Sequence, residues 1–80
     1  MNAAYYLKLA SDEFCETLLF AGLIDRQEFK YKEKDKKGST RYRYITSIGE
    51  VYIYSPRSIF INGKKHSSLT EARQYLYTFL

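Results

Sequence analysis

The spacing of hydrophobic positions changes period twice along the chain. From Asn2 to Ala21, Leu7, Ala10, Phe14, Leu18 and Ala21 recur at three- and four-residue steps, with Lys8, Asp12, Glu13 and Glu16 between them. That spacing predicts an amphipathic helix. Gly22 followed by Leu23 and Ile24 fits its C-terminus, with glycine in the left-handed conformation and an apolar residue folding back. Tyr5-Leu7-Leu9 also fits a short strand, which would move the helix start to Ser11 or Asp12.

From Gln27 the period becomes two. Phe29 and Tyr31 alternate with Lys30, Lys32 and Lys34, a polar turn runs from Lys34 to Ser39, and Tyr42 and Tyr44 alternate with Arg41 and Arg43. The two runs predict an antiparallel hairpin with Phe29, Tyr31, Tyr42 and Tyr44 on one face and a ladder of Lys and Arg on the other. Gly49 marks a second turn, and Val51-Tyr52-Ile53-Tyr54 is apolar on both faces. This suits a central strand, or one whose tyrosines face a partner. Pro56 ends that strand, because proline cannot donate to a ladder. Ile59-Phe60-Ile61 then leads into Asn62-Gly63, a strong hairpin signal, and Lys64 to Ser67 reads as a short cationic return strand.

The period returns to helical at the end. Ser68-Leu69-Thr70-Glu71 fits a capping box, and Leu69, Ala72, Leu76 and Phe79 share one face. Taken together the expected fold class is α+β. A single domain over residues 1–80 would hold an antiparallel sheet of about four strands, flanked by an N-terminal and a C-terminal helix packed on one face.

Composition adds an unusual aromatic share: nine Tyr and five Phe among 80 residues, with no Trp. Tyrosine joins a large apolar body to a polar tip and serves both cores and interfaces. The single Cys15 excludes an intramolecular disulfide. The longest apolar stretch near the start, Leu18 to Ala21, is far too short to span a membrane, and no signal-peptide pattern precedes it. The expected setting is the cytoplasm, with no membrane partner.

Charge is distributed unevenly. Residues 1–25 carry one lysine against four carboxylates, whereas residues 26–65 carry eleven Lys or Arg against four. The formal net charge of +4 therefore belongs to the middle of the chain.

Catalytic and metal chemistry find little support in the residue types. One Cys and one His, fifty-one positions apart, do not make a zinc site. His66, between Lys65 and Ser67, reads as a solvated surface residue, and Cys15 beside Phe14 as a small buried hydrophobe. Asp12, Glu13 and Glu16 read as a solvated helix face; the sharper alternative is an acidic contact for a basic partner. Each isolated glycine has a turn to explain it, and none forms a phosphate loop. The expectation is a non-enzyme with no cofactor, no metal and no small-molecule substrate.

The remaining constellation is the basic hairpin. Lys30, Lys32, Lys34, Lys36, Lys37, Arg41 and Arg43 would attract phosphates and release counterions from nucleic acid. Against this stands the common use of alternating charge to keep the outer face of a sheet wet. A family likeness bears on the same stretch. Thr17 to Arg26, with its Leu18-x-x-x-Gly22-Leu23-Ile24 turn, then a basic segment, then Arg41 to Gly49, resembles the helix end and wing hairpin of winged-helix DNA-binding domains. The resemblance spans residues 17–49 and implies that the same seven cations contact backbone phosphates. It does not extend to the first helix as a reader of bases, because the exposed face of that helix is acidic.

The leading expectation is a small module that binds nucleic-acid backbone through this hairpin. The alternative is a protein-interaction module using Tyr52 and Tyr54: a homodimer, or a small inhibitor or adaptor of the kind mobile elements encode.

Overall fold

The computed structural model describes residues 2–26 and 30–79. Its elements run in the order α1 (Ala3–Phe20), β1 (Lys30–Lys34), β2 (Thr40–Thr46), β3 (Gly49–Ser55), β4 (Ser58–Ile61), β5 (Lys64–His66) and α2 (Leu69–Tyr77). The α+β class is as expected, with five strands where about four were anticipated; the short Lys64 return strand is fully paired.

Helix α1 is a single helix, so the strand reading of Tyr5-Leu7-Leu9 does not hold. Asn2 caps it, its side chain accepting from the Ala4 amide at 3.0 Å. The other end closes as the sequence predicts. Gly22 sits at φ 72°, its amide donates to Leu19 at 3.1 Å, and the Leu23 amide reaches back to Leu18 at 2.9 Å. Leu23 is thereby folded into the core.

Every strand pairs antiparallel with its neighbour in sequence, so the sheet order is β1-β2-β3-β4-β5. The Val51 strand is central, flanked on both sides, which accounts for its apolar character. Asn62 and Gly63, at φ 52° and 81°, form the tight β4–β5 turn with both residues left-handed.

Both helices lie on one face of the sheet. Helix α1 packs on β2 and β3, and α2 on β4 and β5, with the helices also touching each other. The core is Leu7, Ala10, Phe14 and Leu18 of α1 and Ala72 and Leu76 of α2 against Tyr44, Val51, Ile53, Ile59 and Ile61 of the sheet. The stripe on α1 steps by three and four, and the sheet positions step by two, as each geometry requires.

Two expectations need correction here. His66 is buried at 1% exposure rather than solvated. It lies across from Ile59, so its register position puts it on the helix-facing side of β5, packed against Tyr75 with ring centroids 4.8 Å apart and the planes tilted by 38°. The capping box closes only in part: Ser68 Oγ accepts from the Glu71 amide at 3.0 Å, but the Glu71 carboxylate meets the Ser67 amide, at 3.4 Å.

Candidate functional site

The hairpin β1–β2 is present, and its register decides which cations share a face. Lys30 pairs with Tyr44, Tyr31 with Arg43, Lys32 with Tyr42, Glu33 with Arg41 and Lys34 with Thr40. Directly opposed residues point to the same side of a sheet. The loop Asp35 to Ser39 has an odd number of residues, so even positions oppose even ones. The lysines at 30, 32 and 34 therefore lie on the helix side and Arg41 and Arg43 on the outer side. The single Lys/Arg ladder expected from sequence does not form. Tyr31 stands on the outer face with the arginines, opposite to Tyr42 and Tyr44. Phe29, expected to share the apolar face, lies outside the described residues.

The loop geometry follows from Asp35. Its Oδ1 accepts from the Ser39 amide at 2.8 Å and from the Lys37 amide at 2.9 Å, while Oδ2 accepts from the Tyr54 hydroxyl at 2.9 Å. Gly38, at φ 85°, lets the chain return. The Ser39 amide first, then Tyr54, hold the Asp35 carboxyl below its ordinary range.

Three of the seven candidate cations have carboxylate partners. Arg41 Nε and Nη2 both donate to Glu33 Oε2, at 2.9 and 2.7 Å, and Arg43 Nε donates to Glu33 Oε1 at 2.8 Å. Arg41 and Arg43, in that order of effect, hold the Glu33 carboxyl below the usual range. Lys30 Nζ donates to Asp12 Oδ1 at 2.7 Å, and Lys8 to Asp12 Oδ2 at 2.8 Å. Asp12, read as part of a solvated face, is thus tied to β1, while Glu13 and Glu16 stay exposed. Lys32, Lys34, Lys36 and Lys37 are exposed and have no acidic side chain within 4.0 Å among the described residues. These four gather on β1 and its loop.

Among the described residues no helix lies on the outer face of the sheet. On it Arg41 lies over the Tyr52 ring at 4.0 Å from the centroid and Arg43 over Tyr31 at 5.1 Å. Tyr54 accepts from Arg41 Nη1 at 3.0 Å and meets Phe60 edge to face at 5.7 Å. Tyr52, opposite Phe60 and Arg43, donates to Glu50. Tyr52 and Tyr54, candidates for a protein contact, thus belong to one patch with Tyr31, Phe60 and the two arginines. Sequence reading missed Tyr31, Glu33 and Phe60 as members; the odd length of the 35–39 loop was the signal that could have found them.

Elsewhere the chemistry is sparse. Among the described residues no group of three or more His, Cys, Asp or Glu could hold a metal ion, and no helix is long and apolar enough to cross a membrane. Cys15 is buried, and burial pushes its thiol pKa up, away from the reactive thiolate. The groove between the helices, about 460 Å³, is lined by Glu13, Glu16, Thr17, Phe20, Arg73 and Tyr77. Arg73 spans it, donating to Thr17 Oγ1 at 3.1 Å. Comparison with protein-family models, with curated proteins and with solved structures finds no match.

Proposed function

We propose that the chain is a non-enzymatic binding module that holds nucleic-acid backbone through the β1–β2 hairpin. One observation carries the reading. Lys32, Lys34, Lys36 and Lys37 project from one strand and its loop with no carboxylate partner among the described residues, so their charge is available to phosphates. Lys30, Arg41 and Arg43 add to the local field but are held by Asp12 and Glu33, and serve as supports rather than first contacts. The likeness of residues 17–49 to a wing hairpin points the same way. Contacts of this kind read no bases, so little sequence preference is expected.

The test is anisotropy of labelled single- and double-stranded oligonucleotides. Four phosphate contacts give a log–log salt slope of roughly −3 to −4, a loss of about a hundredfold between about 50 and 200 mM salt. Reversing Lys32 and Lys36 to Glu should remove most of the binding without changing the thermal midpoint. Absence of binding to any oligonucleotide at low salt would sink the proposal.

The uncovered outer sheet face favours a second reading, a protein contact centred on Tyr52 and Tyr54. Tyrosine and arginine are enriched at the centres of such contacts.

A further inference from the structure

We infer that the outer face of the sheet is a self-complementary surface that packs against the same face of a second copy of this chain. The inference rests on the open-face reading and is independent of nucleic-acid binding.

Charge selects the occupant. The chain as a whole is at +4 and repels its own copy. On the outer face, however, Arg41, Arg43 and Lys65 are equalled in number by Glu33, Glu50 and Asp35, with the two arginines paired and Lys65 exposed beside Phe60, so this surface approaches its copy with little of that penalty. A strongly anionic partner such as nucleic acid gains little there, because the guanidiniums already donate to Glu33 at 2.7 to 2.9 Å.

The same pairing prepares the face for burial. An unpaired charge resists desolvation, whereas Arg41 and Arg43 already have carboxylate partners and lie flat on Tyr52 and Tyr31. Their side chains are ordered before association, which lowers the entropic cost of binding. Phe60 and Tyr52, opposed on β4 and β3, supply an apolar centre. A two-fold contact uses one patch twice, so a neutral face with a central aromatic pair can meet itself.

Size sets the strength. Five strands about 4.8 Å apart, each about five residues long at about 3.3 Å per residue, project a face of roughly 400 Å². Side-chain relief brings the accessible area toward the lower end of stable interfaces, about 600 Å² per partner. The expected product is a two-sheet sandwich with strands within about 30° of alignment.

Sedimentation equilibrium on the full chain, from about 10 µM to about 1 mM at about 0.1 and 0.5 M salt, tests this. The expected result is a monomer–dimer equilibrium that changes less than threefold between the two salts. Tyr52→Lys combined with Phe60→Lys should abolish the dimer, with circular dichroism and a thermal melt confirming the fold. Because that variant could fail to fold, Tyr52→Cys provides a second readout: under mild oxidation it should cross-link as a dimer, while wild type, with Cys15 buried, should not. A wild type that stays monomeric throughout overturns the inference, as does a dimer that survives in the folded double variant. Loss of oligonucleotide binding in a monomeric Tyr52→Lys variant would also overturn it, assigning the face to bases instead.

Discussion

Arg41 stands directly across the β1–β2 ladder from Glu33 and donates two hydrogen bonds to one oxygen of its carboxylate. Glu33 is thereby held below its ordinary pKa by Arg41 and Arg43, Asp12 by Lys30 and Lys8, and Asp35 chiefly by the Ser39 amide. A carboxyl whose folded pKa is depressed adds stability above its unfolded value and loses it as pH falls through the folded one. Urea midpoints should therefore hold steady from about pH 7 to about pH 5 and fall below about pH 4. Glu33→Gln should lower the neutral midpoint slightly and flatten the acid limb. A variant with an unchanged acid limb would show that Glu33 contributes nothing to it.

Tyr44 makes the opposite prediction. Its ring is fully buried, and its hydroxyl donates to the Ser11 carbonyl at 2.7 Å while bonding the Ser11 hydroxyl. Burial pushes its pKa up, with the Ser11 bond opposing. A raised folded pKa gives stability that is complete below the unfolded value, about 10, and is lost as pH rises beyond it. Tyr44→Phe should cost about 1–2 kcal/mol at neutral pH, since it strands the Ser11 hydroxyl in the core. It should also soften the alkaline loss. Chemical unfolding at about pH 7 and pH 11 measures both.

Gly49 turns β2 into β3 at φ 117°, and a Cβ there would run into the Asn62 side chain. Gly49→Ala should cost about 2 kcal/mol or more, combining backbone strain with displacement of Asn62. Adding Asn62→Ala should relieve the clash but not the strain, so the alanine at 49 should cost less in that background without becoming neutral. Equal costs in both backgrounds would remove Asn62 from the explanation.

His66 is the buried polar group with the poorest partners. Neither ring nitrogen makes a hydrogen bond among the described residues, and Nδ1 lies 3.6 Å from Glu71 Oε1. A buried polar group without partners opposes folding, so His66→Phe, which keeps the packing against Tyr75, should leave stability unchanged or raise it by up to about 1 kcal/mol. A loss of more than about 2 kcal/mol in a thermal or urea melt would mean that the His66–Glu71 pair stabilises the fold.

Much of this architecture was legible because local signals agreed. The Gly22-Leu23 closure, the Asn62-Gly63 turn and the Ser68 cap each depend on residues a few positions apart. The division of faces in the first hairpin was harder. It depends on whether the 35–39 loop has an odd or even length, and polar runs such as Lys34 to Ser39 do not fix where pairing stops. A shift of one residue would have put the lysines and arginines together. His66 failed for a related reason. Its neighbours Lys65 and Ser67 are exposed, but position parity across from Ile59 turns its ring inward, and the covering Tyr75 comes from a separate helix. The Arg–Glu–Tyr patch required three strands to be in register before its members could be recognised as neighbours.

The strictly sequential sheet order has a kinetic consequence. Each strand finds its partner across a short loop, and no crossover must be threaded. Loop closure is cheap over such distances, and chains dominated by local pairing fold rapidly. The slower event should be the docking of α1 on the central strands, which joins segments some thirty to forty residues apart. Substitutions at Phe14 or Leu18, and changes in the β4–β5 turn that forms before docking, should therefore both slow folding.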